Sequence, residues 1–164
     1  DGLLKLFSES ISKESKKIHS NNIKLKFIGD TSLLTKALQI KIKEIEKETS
    51  RNKRLVLNVA LNYGGRLDIV NSVNTFYNNK KKIKKITEKN INSGLYTKGQ
   101  SDVDLLIRTG GQQRMSNFLL WQSAYAELFF SKKLWPDFDE KIFVNALYFF
   151  QNTERKFGSI SKST

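Results

Sequence analysis

Cysteine is absent from this sequence, which excludes disulfide staples and thiolate chemistry and suits a reducing compartment. Histidine occurs once, at His19, so a zinc site built from His and Cys cannot be assembled. The single proline, Pro136, breaks the chain beside Trp135. No apolar run approaches the roughly 20 residues needed to cross a bilayer, and no signal-peptide pattern is present. Acid is scarce: 16 Asp and Glu stand against 29 Lys and Arg, a net charge of +13. Such a balance suits a polyanion, an anionic membrane surface or a phosphorylated substrate. Arginine is itself scarce, with 6 against 23 lysines and 14 asparagines. A lysine and asparagine excess of this kind follows coding bias onto solvated faces, so the arginines carry more information. Arg66, Arg108 and Arg114 all lie close to glycines, where lysine is a poor substitute for a bidentate fork.

The 164 residues suffice for one domain with a sizeable core. The first residue is Asp1 rather than Met, which reads as processing or as a longer protein that has lost its N-terminus. Residues 3–19 read as a helix, with Leu3, Leu6, Phe7, Ser10, Ile11 and Ile18 near one face. His19 ends it and reads as a surface residue. Ile23–Ile28 alternates at period two and reads as a strand. Gly29-Asp30-Thr31-Ser32 turns the chain and offers N-cap side chains to a helix over 32–50. That helix turns Leu33, Leu34, Ala37, Leu38, Ile42 and Ile45 inward. Leu55–Leu61 is a second strand, apolar on both faces except at Asn58. Asn62-Tyr63-Gly64-Gly65-Arg66 follows, either as a tight strand-to-helix turn or as a loop of close ligand approach. A helix over 67–77 turns Ile69, Val70, Val73 and Phe76 inward. The lysine run 80–85 reads as a solvated loop or helix face, with contact to anionic lipid as the alternative. Thr87–Leu95 reads as a short helix.

The most informative stretch runs from Asp104 to Glu127. Leu105–Ile107 has the length of a buried strand. Thr109-Gly110-Gly111 permits positive φ and a close backbone approach, and Arg114, Ser116 and Asn117 follow. Two arginines, a hydroxyl and free backbone N–H groups thus gather at a strand's C-terminal end, where open α/β sheets bind ligands. The chemistry points to a phosphate or diphosphate, against the alternative of an ion-paired strand end. Phe118–Tyr125 reads as core. Ala126–Phe130 reads as a last strand whose one charge, Glu127, pairs with a lysine or serves a metal or an arginine. A final helix, 140–155, carries Ile142, Phe143, Ala146, Leu147 and Phe150, widened by Tyr148 and Phe149 toward a partner subunit. The Ser/Lys-rich tail, 159–164 and its approach from Gly158, reads as disordered. Alternating strands and helices argue for an α/β fold, a mostly parallel sheet with helices on both faces, in a single domain over 1–158.

Seven segments, Phe27–Asp30, Asn62–Arg66, Asp104–Gly111, Arg114–Gln122, Ala124–Leu128, Leu134–Phe138 and Arg155–Gly158, together resemble the cis-prenyltransferase family, in the family's order. The resemblance implies condensation of isopentenyl diphosphate with an allylic prenyl diphosphate, each new double bond cis, giving a long-chain polyprenyl diphosphate. It implies Mg²⁺, a homodimer, and a cytoplasmic enzyme with peripheral membrane contact. It assigns the isopentenyl diphosphate to Arg108, Arg114 and Ser116 with the Met115 backbone, and the metal to Glu127. It also implies that the fold is incomplete at its N-terminus. The family's Asp-Gly-Asn-Gly-Arg segment, with the catalytic aspartate, is absent from these residues, so residues 1–164 alone are expected to be inactive. Gln112 stands where the family commonly has Glu. A non-catalytic partner subunit of a two-component enzyme is the alternative, against which the retained Arg108, Arg114, Ser116 and Glu127 argue. Aromatics fall in core stripes rather than among basic residues on one face, so no nucleic-acid partner is expected.

Overall fold

The computed structural model describes residues 2–78 and 85–155, with the side chains of α1 described from Ser10 onward except Ser12. The tail, and all of the lysine run except Lys85, lie outside the described residues. Two parallel strand pairs form. β1 (Ile23–Ile28) pairs with β2 (Leu55–Ala60), with Ile23 opposite Leu55 and Ile28 opposite Ala60. β3 (Leu105–Arg108) pairs with β4 (Glu127–Phe130), with Leu105 opposite Glu127 and Arg108 opposite Phe130. Among the described residues these are two separate two-stranded sheets rather than the one sheet expected. Both pairs are parallel and each is joined through a crossover, so the α/β class stands.

Helices α1 (Gly2–Ser20) and α2 (Lys36–Glu48) pack on β1. Alternation along β1 sends Leu25 and Phe27 to one face. There Leu25 joins Ile11 and Ile45 in a core flanked by Ile18, Phe27 and Val59. Helix α2 starts four residues later than expected, because Thr35 rather than the Asp30–Ser32 turn caps it. Asp30 instead accepts the Ser32 N–H within its own turn at 2.9 Å. Leu33 and Ala37 are therefore exposed, and Leu38, Ile42 and Ile45 form the buried stripe.

The outer edge of β1 is closed by side chains. Thr49 Oγ1 accepts the Leu25 N–H at 3.1 Å and Glu46 Oε1 accepts the Phe27 N–H at 2.8 Å. Asn52 donates to the Ile23 carbonyl at 2.7 Å. An edge occupied in this way cannot template another strand. The β2 side is different: Leu55, Val56 and Leu57 are exposed despite their apolar character.

After β2 come α3 (Gly65–Asn78) and α4 (Glu88–Gly94), which pack on each other. Thr87 and Asn90 form a capping box at the start of α4. The buried residues of α3 are Gly65, Asp68 and Ser72, not the expected apolar set. Val70 is exposed, and Ile69, Val73 and Phe76 are half-buried. The reason is local. Ser72 donates to the Ile91 carbonyl at 2.7 Å, and Gly94 lies so close that a Cβ there would sit 2.8 Å from Ser72 Cα. Only small residues permit that approach.

A 3₁₀ turn, Trp135–Asp137, leads into α5 (Glu140–Gln151), capped by Asp139 accepting the Ile142 N–H at 2.9 Å. Ala146 is the one buried residue of α5; Phe143, Leu147, Tyr148 and Phe149 are exposed.

Candidate functional site

The turn after β3 is held from outside the strand. Gly110 and Gly111 take φ of 87° and 77°, a region that favours glycine. Their N–H groups donate to the carbonyls of Lys133 at 2.7 Å and Ser131 at 2.9 Å. These amides are therefore not the free anion donors that the sequence suggested. The chain continuing from β4 runs alongside the turn and supplies the acceptors.

The side chains beyond the turn do converge. Arg108, the last residue of β3, donates from one guanidinium nitrogen to Ser116 Oγ at 2.9 Å and to the Arg114 carbonyl. Arg114 donates to Gln112 Oε1 at 2.5 Å. A carboxylate at position 112 would cancel the charge of Arg114, whereas the amide oxygen accepts the bond and leaves the positive charge in place. Met115 lies between, half-buried, its carbonyl accepting the Phe118 N–H at 3.1 Å. The result is an exposed cationic hydroxyl-bearing loop at the C-terminal end of a parallel strand, suited to an anionic oxygen cluster.

Glu127 is elsewhere. It opens β4 opposite Leu105, at the other end of the pair from Arg108. Three residues of strand separate the two levels, about 10 Å. Arg155, beyond α5, reaches both acids at that end: 2.6 Å to Asp104 Oδ1 and 4.0 Å to Glu127 Oε1. It also donates to the Tyr125 carbonyl at 3.3 Å and lies 5.3 Å from the centre of the Phe150 ring. Two like charges on neighbouring strand ends are thus bridged by one guanidinium. Among the described residues no group of three His, Cys, Asp or Glu side chains gathers as a metal cage.

Sequence reasoning missed the parts that hold this loop. Asp68 is 1% exposed. Its carboxylate accepts from Tyr63 Oη at 2.9 Å, the Tyr96 N–H at 3.0 Å and Gln122 Nε2 at 3.1 Å. It therefore joins the β2–α3 loop, the end of α4 and the segment after Ser116. Burial raises the Tyr63 phenol well above its ordinary value, and the Asp68 hydrogen bond and charge add to it. Phe118–Tyr125 is not mostly core: Phe118 and Tyr125 are exposed, while Gln122 and Ser123 are buried. The signal for Asp68 was its position two residues after Arg66, within a helix otherwise read for apolar residues. The two glycines of Asn62–Arg66 are likewise filled by protein. A Cβ at Gly64 would lie 2.9 Å from Asn117 Nδ2, and one at Gly65 would lie 3.0 Å from Leu120 N.

An α/β protein with two arginines and a hydroxyl gathered in a loop at the end of a parallel strand is the class this architecture defines. The family model described as undecaprenyl diphosphate synthase matches residues 1–158, and the chain belongs to that prenyltransferase family. It is 47% identical over 162 residues to the ditrans,polycis-undecaprenyl-diphosphate synthase ((2E,6E)-farnesyl-diphosphate specific) of Pasteurella multocida, covering 96% of this chain and 68% of that one. It is 45% identical over 164 residues to an isoprenyl transferase of Prochlorococcus marinus, covering 98% and 60%. Among solved structures, a probable undecaprenyl diphosphate synthase from Campylobacter jejuni superposes with a TM-score of 0.87 at 34% identity, over 97% of this chain and 74% of that one. Lavandulyl diphosphate synthase from Lavandula x intermedia, in complex with dimethylallyl diphosphate, gives 0.89 at 32% identity, over 96% and 70%. The chain spans between 60% and 68% of the length of these curated relatives.

Proposed function

We propose that the full protein elongates prenyl chains, condensing isopentenyl diphosphate with an allylic prenyl diphosphate to give a cis-configured polyprenyl diphosphate. The observation that carries this reading is the Arg108 guanidinium held against Ser116 and the Arg114 carbonyl at the end of β3, in a chain of the undecaprenyl diphosphate synthase family. Arg108, Arg114, Ser116 and the Met115 backbone take the diphosphate of isopentenyl diphosphate. A planar guanidinium and a hydroxyl match its oxygens, and the lysines of Ser131–Lys133, whose backbone braces the turn, add positive potential. The full-length protein, assayed with isopentenyl and farnesyl diphosphates, turns over. Arg108→Ala weakens isopentenyl diphosphate binding by about 10²-fold, the scale of a lost charge-assisted contact with its partner left unpaired. Unchanged binding overturns the assignment. Residues 1–164 alone give no turnover, because the aspartate motif is not among them; turnover by them would show that the catalytic group has been misplaced.

The same reading carries Mg²⁺, which neutralises the charge of a leaving diphosphate, with Glu127 as its protein carboxylate. One carboxylate with phosphate oxygens suits Mg²⁺, but the geometry in this chain does not present a ready site. Glu127 Oε1 lies 4.0 Å from Arg155, and its strand level is about 10 Å from that of Arg108. Glu127→Gln in the full-length protein raises the Mg²⁺ concentration for half-maximal activity several-fold; an unchanged Mg²⁺ dependence removes Glu127 from the assignment. The reading further carries a homodimer and a cytoplasmic enzyme in peripheral contact with a membrane. No helix among the described residues is long and apolar enough to cross one.

A further inference from the structure

The anion loop is an unusual piece of backbone. Ser116, Asn117 and Leu119 take φ of 48°, 65° and 46°, three left-handed residues in four positions with no glycine among them. Each is disfavoured for an L side chain, and such conformations persist only when the surroundings over-determine them. The brace lies across the molecule. The Asn117 carbonyl accepts the Gly65 N–H at 2.7 Å, and its side-chain Oδ1 accepts the Arg66 N–H at 2.9 Å. These are among the first N–H groups of α3, which have no acceptor within their own helix. One residue thus caps α3 from another part of the chain, and α3 in return fixes that residue's backbone. Gly64 and Gly65 are the space this needs, since a Cβ at either would press on Asn117 or Leu120. Asparagine suits the place twice, tolerating left-handed φ and offering a capping oxygen.

We propose that Asn117 is a positioning residue for the diphosphate site: by locking onto the N-terminus of α3 it holds the neighbouring Ser116 hydroxyl where Arg108 meets it. The Asn62–Arg66 loop then serves the site as a socket for Asn117 rather than as a ligand loop. This inference rests on the assignment of isopentenyl diphosphate to Arg108 and Ser116.

The test uses the full-length protein, with KM and kcat measured for both substrates and direct titration of isopentenyl diphosphate. Asn117→Ala removes the side-chain cap and the tolerance for left-handed φ. It raises KM and Kd for isopentenyl diphosphate about tenfold, with kcat and the allylic KM within about twofold. Asn117→Gly keeps the φ and the backbone bond to Gly65, losing only the side-chain oxygen, and falls between Asn117→Ala and the parent. That variant also keeps the question open should Asn117→Ala fold poorly. A loss spread equally over both substrates and kcat, or Kd values at the parent level in both variants, overturns the proposal. Arg108→Ala separates the two readings. If it leaves isopentenyl diphosphate binding intact, the site assignment itself fails; if it abolishes binding while both Asn117 variants bind normally, only the positioning role fails.

Discussion

The deepest charge in the described chain is Asp68, and its surroundings explain why it is tolerated there. A buried carboxylate must find donors or lose several kcal/mol, and this one has three, from Tyr63, Tyr96 and Gln122. Every donor comes from a different segment, so the carboxylate acts as a clamp between the β2–α3 loop, the end of α4 and the segment after Ser116. Asp68→Asn replaces one acceptor oxygen by a donor, which then faces a donor. The expected cost is about 1.5–3 kcal/mol, read as a lower denaturation midpoint with an unchanged m-value. A midpoint equal to the parent's would show that the clamp carries no stability. Tyr63 supplies a pH signature of the same cluster. Its phenol is held protonated by burial first and by Asp68 second, raised from an ordinary value of 10.0. The raised value means that stability is fully present below pH 10 and declines as pH climbs beyond it, because the unfolded chain ionises there and the folded chain resists. Tyr63→Phe should lose stability at neutral pH, and its deficit relative to the parent should shrink as pH rises above about 10. A deficit that stays constant across that range would remove the phenol from the account.

At the scale of elements, what could be read from the sequence follows a simple physical line. β1, β2, α4 and β3 are legible because alternation, a capping threonine or a bounded apolar run is local information, and each stands within a residue of its expected limits. The gathering of side chains beyond the two-glycine turn was legible for the same reason: Arg108, Arg114 and Ser116 lie within nine residues, so no distant fold information is needed to bring them near one another. Features that depend on distant partners were not legible. Nothing local marks Gly64 and Gly65 as room for Asn117 and Leu120, or makes Asp68 and Ser72 rather than Val70 the buried face of α3. The glycine amides after β3 read as free because the segment that satisfies them, Ser131 and Lys133 beyond β4, comes twenty residues or more later. β2 shows the converse: its residues are apolar on both faces except at Asn58, yet Leu55, Val56 and Leu57 are exposed. A strand's own pattern states what it could bury, not what arrives to cover it.

Among the described residues the segment after β4 leaves many large apolar side chains exposed, and it argues for assembly. Trp135 is 75% exposed and Tyr148 61% exposed, with Leu134, Phe143, Leu147 and Phe149 exposed beside them in the same stretch of chain. Some of these residues are already ordered against neighbours: Trp135 stacks on Phe138 at 5.9 Å, and Phe149 packs on Phe129 at 5.8 Å. Being fixed in the free chain, they lose little further conformational freedom on association, which favours an interface. α5 buries only Ala146 within its own chain, although a helix with that many large apolar side chains ordinarily buries a broad stripe. A contiguous exposed apolar patch beyond a few hundred Å² marks an association site, and aromatic residues are enriched at the core of such interfaces. A stable dimer buries roughly 800 Å² per partner, and a two-fold arrangement would set this segment against its own copy. The full-length protein is therefore expected to sediment as a dimer at micromolar concentration. Tyr148→Glu places a charge at an exposed position of α5 without touching the described core, and should shift the protein to monomer while leaving its far-ultraviolet circular dichroism unchanged. A parent protein that sediments as a monomer would end the proposal, and a Tyr148→Glu variant that remains a dimer would move the interface away from α5.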